Sequence, residues 1–250
     1  MNTLIIGFGK RAKYSILPAL KIINEGKVYV YSRDLKKLHT QKEKYNIELF
    51  TSLEKESFKK ISKIFICTPY ESYLSIVQKL SKHDLNWVTL FVDTPIVPVI
   101  SNIAIKQYKN KFKEILVTED CFYNPINTVI KKIIYENKLG DIKKIIFNNF
   151  GHTYHALAQS RRLLKNKFIY CGIKNNNNFK FILSNSQINI NGTQSDSGYM
   201  HIFFKDSIIS INDQNINNNA NYKINYLLSD GFVCGYLINN RIVNLNYDLK

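Results

Sequence analysis

Apolar residues recur along this chain in two alternating rhythms. Thr3-Leu4-Ile5-Ile6 is a short unbroken run that reads as a strand, and Ile16, Leu17, Leu20 and Ile23 after it follow helical spacing. Lys27-Val28-Tyr29-Val30-Tyr31 predicts a second strand, with Asp34 placed to cap the Lys-rich helix that follows. Ile47 to Phe50 is a brief apolar run. Lys63-Ile64-Phe65-Ile66-Cys67 is a stronger one and ends at Thr68-Pro69. Leu74, Val77 and Leu80 then predict a helix from Glu71 to Lys82. The near-continuous run from Trp87 to Val92 predicts a strand ending at Asp93-Thr94-Pro95, and Ile115-Leu116-Val117 closes the series. Strands without polar alternation, joined by helices, predict a parallel sheet covered on both faces.

Beyond Asn124-Pro125 the texture changes. One helix is predicted from Ile126 to Asn137, closing at Leu139-Gly140 with the glycine as its cap, and a second from His155 to Leu164. The rest alternates apolar and polar positions: Lys143 to Phe150, Lys180 to Leu183, Gln187 to Ile190, Gly198 to Phe204 and Ser207 to Ile211. Tyr222 to Leu228, Phe232 to Leu237 and Arg241 to Leu245 continue it, with Asn-Gly, Lys-Asp and Asn-Asn pairs between several segments. That pattern predicts a largely antiparallel sheet with Asn-rich loops.

The first predicted strand and helix are joined by Gly7-Phe8-Gly9-Lys10-Arg11-Ala12. Strand, Gly-x-Gly-x-x-Ala turn and helix in that order form the dinucleotide-binding fingerprint. Gly7 permits the tight turn, Gly9 lets backbone approach a pyrophosphate, and Ala12 is small enough for helix to lie on strand. The first N–H groups of the helix are donors for phosphate. An ordinary strand-to-helix turn that binds nothing is the plain alternative. The fold class is therefore α/β. An N-terminal Rossmann doubly wound parallel sheet is expected over residues 1–122, and a smaller α+β domain with a mostly antiparallel sheet over residues 123–250.

Composition narrows the choice of partners. A chain of 250 residues with 45% hydrophobic content suffices for sizeable cores. No apolar stretch reaches the roughly 18 residues a membrane span requires. A strand beginning at Thr3 leaves no room for a signal peptide, and Cys67, Cys121, Cys171 and Cys234 form no paired motif, so a cytoplasmic protein with reduced thiols is expected. The net charge of +16 comes mostly from lysines spread along the whole chain, whereas arginine occurs only at 11, 33, 161, 162 and 241. Dispersed lysine together with abundant asparagine points to solvated faces and attraction to anionic metabolites, not to nucleic acid. Of the histidines, only His152 and His155 lie close together, with no acidic or Cys ligand near them in sequence, and no metal site is expected.

Taken in order, the glycine turn, Cys67-Thr68-Pro69, Asp93-Thr94-Pro95, Asn124-Pro125, Leu139-Gly140-Asp141-Ile142, and Tyr154-His155 with Arg161 make the chain resemble the Gfo/Idh/MocA family of NAD(P)-dependent oxidoreductases. The resemblance implies hydride transfer to or from a small polar metabolite, with the second domain holding substrate and a homodimer forming through its sheet. It also places Thr68, Pro69, Asp93, Thr94 and Pro95 beside the cofactor. Three departures stand out. The family usually has Glu-Lys-Pro at 93–95, so Thr94 takes the place of a lysine that often donates a proton. Tyr73 stands where a histidine is usual, and the chain is shorter than typical members. A non-catalytic nucleotide-binding relative, or a subunit of a larger complex, is the alternative these departures raise.

The end of the second strand reads Tyr31-Ser32-Arg33-Asp34. Ser32 and Arg33 suit a 2′-phosphate, and Asp34 is better placed as a helix cap than as a ribose ligand, so NADP is favoured over NAD. A solvent-facing Arg33 is the other reading. With Thr94 nearly neutral, His155 becomes the candidate proton donor, with Tyr123, Tyr154 and His152 as partners, and a purely structural His155 as the alternative. Arg161, six residues on, is expected on the same helix face, binding a substrate carboxylate or phosphate or else pairing with an acidic residue.

Overall fold

The computed structural model describes residues 2–54, 58–94, 105, 107–119, 124–149, 153–164, 172–175, 178–183, 186–192, 198–212, 220–229, 232–239 and 241–244. The chain falls into two compact units, Met1–Thr118 and Glu119–Lys250.

In the first unit β1 (Asn2–Ile6), β2 (Val28–Tyr31), β3 (Glu48–Leu49), β4 (Ile61–Ile66), β5 (Leu85–Asp93) and β6 (Phe112–Thr118) form one sheet. The order is β3-β2-β1-β4-β5-β6 and every pairing is parallel. Alternate residues of β1 serve opposite faces. Leu4 and Ile6 join Ile64, Ile66, Val77, Leu80, Leu90 and Val92 in one core, while Ile5 joins Ala12, Leu17, Leu20 and Val30 in the other. The unbroken apolar runs in the sequence thus reflect a sheet buried on both sides.

The helix after the glycine turn begins irregularly. A π-helical turn, Ala12–Ile16, passes into α1 (Leu17–Ile22), with the Leu17 N–H donating to Ala12 O. The helix ends at Ile22 with Ile23 as its C-cap, so Leu17 and Leu20 are buried while Ile23, expected on the same face, is 59% exposed. α2 (Leu35–His39) is capped as expected: Asp34 Oδ1 accepts the Lys37 N–H at 2.9 Å. α3 (Lys42–Tyr45) follows. After β4, a 3₁₀ turn at Tyr70–Ser72 leads into α4 (Tyr73–Leu80), which buries Tyr73, Ile76, Val77 and Leu80.

The second unit carries α5 (Ile126–Glu136), α6 (Thr153–Leu163) and a nine-stranded sheet. Its strands are β7 (Lys144–Asn148), β8 (Gly172–Asn175), β9 (Asn178–Leu183), β10 (Ser186–Asn191) and β11 (Tyr199–Phe203). β12 (Ile208–Ile211), β13 (Tyr222–Ser229), β14 (Phe232–Ile238) and β15 (Arg241–Asn244) complete it. The order is β15-β14-β13-β12-β11-β7-β10-β9-β8. The β7–β10 and β12–β13 pairs are parallel and the others antiparallel. A mostly antiparallel sheet is therefore present, with β8 as a strand the sequence pattern did not announce.

One local expectation is corrected. α5 does not close on Gly140. Lys138 takes the left-handed conformation at φ 50°, the Leu139 N–H donates to Ile134 O at 3.1 Å, and the Lys138 N–H donates to Tyr135 O at 3.3 Å. This double bond pattern is a Schellman cap whose C′ residue is Lys138. It seats Leu139 against the core of the second unit, and Gly140, at φ 75°, lies beyond it.

Candidate functional site

The strand order of the first sheet reverses at β1, where chain leaves to β2 on one side and β4 on the other. Ligands of doubly wound sheets bind outside the carboxyl ends of the strands at such a point. A crevice of about 760 Å³ opens there, lined by Gly7, Phe8, Gly9 and Lys10 after β1, Ser32 and Arg33 after β2, and Thr68 and Pro69 after β4.

Gly7 is where the two sides meet. Its φ is +94°, and its N–H donates to Tyr31 O at 2.8 Å. A Cβ there would lie 2.8 Å from both Cys67 O and Thr68 Cγ2, so the close approach of the β1 and β4 ends requires glycine. Gly9 differs. A Cβ at Gly9 would meet no atom within 4 Å, so its backbone faces open space that a ligand can enter. The Lys13 N–H donates to Gly9 O at 3.1 Å, which starts the helix and leaves the preceding N–H groups at its N-terminal end. Ala12 is fully buried in the core and does not line the crevice.

Arg11 also turns away from the crevice lining. Its Nε lies 3.2 Å from Asp93 Oδ1 at the end of β5, and Asp93 Oδ1 accepts the Thr118 hydroxyl at 2.9 Å. The Thr94 hydroxyl donates to Thr118 O at 3.4 Å. Arg11, Asp93 and Thr94 therefore form a knot joining the glycine turn to the ends of β5 and β6. Pro95 lies outside the described residues, as do Tyr123 and His152. Cys67, between the knot and the crevice, is a free thiol held protonated. Burial, with the Asp93 charge adding and Arg11 opposing, pushes its pKa up to about 12.

At the β2 end, the Ser32 hydroxyl accepts the Asp34 N–H at 3.4 Å, and Asp34 is engaged as the α2 cap. Lys10, Lys13, Lys37 and Lys79 line the same crevice as Arg33, and Asp34 is its one acidic lining residue among those described. The result is a strongly electropositive recess. The lysines are legible as charge in the sequence, but their convergence depends on packing of α1, α2 and α4.

In the second unit, His155 of α6 meets a residue the sequence reading passed over. Its Nδ1 is 2.6 Å from Oε1 of Glu119, with the side chains 21% and 12% exposed. The histidine read as lacking an acidic neighbour thus has one, 36 positions earlier in the chain. An acidic residue at the exit of a predicted strand was the available signal. Among the described residues no three His, Cys, Asp or Glu side chains converge as a metal site would require. The Tyr154 ring packs at 4.3 Å from the His155 ring. Arg161 is exposed in the last turn and does not share the face of His155. Six residues at about 100° each leave it some 120° around the helix. Gln159, four residues after His155, is fully buried, and neither amide atom has a hydrogen-bond partner among the described residues.

Residues 3–94 match the family model described as NADP oxidoreductase, coenzyme F420-dependent. Solved structures share the fold over both units at low identity. A myo-inositol 2-dehydrogenase from Lactobacillus plantarum is 11% identical and covers 98% of this chain and 81% of its own, at a TM-score of 0.66. A scyllo-inositol dehydrogenase from Lactobacillus casei is 13% identical, covering 84% and 74%, at 0.65. A UDP-N-acetylglucosamine 3-dehydrogenase from Acidithiobacillus ferrooxidans is 12% identical, covering 84% and 76%, at 0.63. No curated protein sequence matches the chain. The fold is that of Gfo/Idh/MocA-type dehydrogenases, as the motif order implied.

Proposed function

From this fold and its crevice, we propose that the chain is an oxidoreductase that binds a pyridine dinucleotide in the first unit, NADP in preference to NAD. Its substrate is a small polar metabolite: a carbonyl, an imine or a sugar-nucleotide alcohol. The observation that carries the reading is the Gly7–Gly9 pair. One glycine is demanded by contact across the switch point, and the other keeps backbone open to a ligand.

The residues fit the cofactor in kind. Backbone N–H groups around Gly9 and Lys10 would take the pyrophosphate, Ser32 and Arg33 the 2′-phosphate, and Thr68 and Pro69 would border the dinucleotide from the β4 side. The nicotinamide supplies a two-electron hydride acceptor or donor. Protons are the protein's task. The Glu119 carboxyl holds Nδ1 of His155 and so orients the ring, whose Nε2 is the atom that would exchange a proton. In this reading residues 123–250 hold the substrate and pair two copies, His155 with Tyr123 exchanges the substrate proton, and Tyr154 contacts substrate; Arg161, on another face of α6, does not reach the molecule His155 acts on. Thr94 brings no charge.

A non-catalytic nucleotide-binding subunit is the second reading. It is favoured by Thr94, whose hydroxyl is spent on the β6 backbone. Titration of the protein with NADPH and NADH, followed by nicotinamide fluorescence, tests the first claim. Tight NADPH and weaker NADH binding is expected, with Arg33→Ala weakening NADPH far more than NADH. Turnover on carbonyl, imine or sugar-nucleotide panels that falls in His155→Asn supports the oxidoreductase; tight binding with no turnover supports the subunit.

A further inference from the structure

The electropositive crevice holds one cation that is fixed in an unusual way. Lys13 follows Ala12 in the π-helical turn, is half-buried, and lines the crevice. Its Nζ lies 5.0 Å from the centroid of the Phe8 ring and 5.6 Å from that of Tyr45. The two rings meet edge-to-face, with centroids 5.3 Å apart and planes at 90°. No carboxylate among the described residues pairs with this ammonium.

Two aromatic faces do to a lysine what a carboxylate cannot. They restrict its position through the ring quadrupole and leave its charge uncompensated. A flexible lysine loses rotamer freedom when it grips an anion, and here much of that freedom is gone beforehand. The clamp also sets the side on which the charge stands. Phe8 is the residue between the two glycines, and Tyr45 closes α3, just ahead of β3, the partner of β2. Lys13 is thereby tied to the β2 side of the glycine turn, where Ser32 and Arg33 lie, and not to the β4 side. The pyrophosphate has the helix N-terminus and needs no such arm.

The geometry points to Lys13 as a specificity-determining residue that joins Ser32 and Arg33 in binding a phosphate monoester on the adenosine ribose. Lys13 thereby selects the 2′-phosphorylated dinucleotide over the unphosphorylated one, with Phe8 and Tyr45 as positioning residues. This rests on the reading of the crevice as a pyridine-nucleotide site. A monoester carries nearly two negative charges above its second pKa near 6, against one per phosphate of the pyrophosphate, so a clamped cation gains most there.

The test is fluorescence titration of the intact chain and its variants with NADPH and NADH. Lys13→Met is expected to weaken NADPH about tenfold and NADH within about twofold, with Lys13→Arg restoring most of the NADPH affinity. Tyr45→Leu keeps the ammonium and loosens its clamp; a loss of about threefold, confined to NADPH, is expected. It serves as an independent readout if Lys13→Met does not fold. Equal losses for both nucleotides would assign Lys13 to the shared pyrophosphate and overturn the inference, as would unchanged affinities. A wild-type chain that binds neither nucleotide overturns the crevice reading itself, a result distinct from either.

Discussion

Arg11 Nε and Asp93 Oδ1 stand 3.2 Å apart, with side chains 26% and 15% exposed, and Cys67 feels both charges. The pair fixes the helix that leaves the glycine turn to the end of β5, and its two charges act in opposite senses on a crevice thiol that burial already holds protonated. Asp93→Asn removes the charge that raises the Cys67 pKa and keeps the Arg11 charge that lowers it. The thiol should then alkylate at lower pH than in the wild type, while burial still keeps it above an ordinary cysteine. Iodoacetamide labelling against pH measures this; an unchanged profile would refute the electrostatic coupling. The same variant should lose about 1–2 kcal/mol of stability through a partly buried, broken pair.

Stability at alkaline pH carries the same signature. The folded thiol titrates at about 12 and the unfolded one near 9.0. Below the unfolded value both states are protonated and nothing is lost. As pH rises from there toward the folded value, the unfolded chain releases a proton that the folded chain keeps, and stability falls. Cys67→Ala should lose less stability over that window than wild type. Melting temperatures of the two proteins across the range, compared as differences, check the sign.

The two glycines of the turn should separate fold from ligand. Gly7→Ala places a methyl against Cys67 O and Thr68 Cγ2 at a positive φ, and should cost about 2–4 kcal/mol with loss of nucleotide binding. Gly9→Ala meets nothing and should leave the melting temperature nearly unchanged while weakening NADPH. Equal melting losses in the two variants would contradict this division.

Gln159 should be improvable. Its amide is buried without hydrogen bonds to any described residue, so Gln159→Met, of similar length, should stabilise by about 1 kcal/mol. Denaturant midpoints provide the measure; a destabilised variant would show that the amide has an uncounted partner.

Lys138 offers a second gain. A lysine at φ 50° bears a strain that glycine lacks, and Lys138→Gly should add about 0.5–1 kcal/mol at the end of α5. Urea unfolding would reveal it, and a loss in stability would count against the cap.

Much of this was legible in the residues, and the rest was hidden for definable reasons. Apolar runs such as Leu4-Ile5-Ile6 and Leu90 with Val92 signal strands because burial on both faces leaves no polar alternation to confuse. Asp34 announces a helix start through its own chemistry. Gly140 misled because glycine is the commonest C′ residue, yet the Schellman bonds formed two residues earlier around Lys138. Ile23 misled because its spacing carried the helix one residue past its end, where Ile23 is the C-cap and lies exposed. Glu119 beside His155, Lys13 between Phe8 and Tyr45, and the knot of Arg11 with Asp93 join positions far apart in sequence. No local pattern records such pairs, since only tertiary packing creates them.

The two sheets also differ in when they can be completed. All six strands of the first lie within Met1–Thr118, most beside a neighbour close in sequence, so that sheet can close on a ribosome before the remainder emerges. The second sheet is built around β7, which is flanked by β10 and β11. That interior strand therefore waits, one edge unpaired until the chain has reached Asn191 and the other until Phe203. Late closure of that kind makes folding slower and exposes sticky edges in the interval, so the burden on cellular chaperones falls on the second half of this polypeptide.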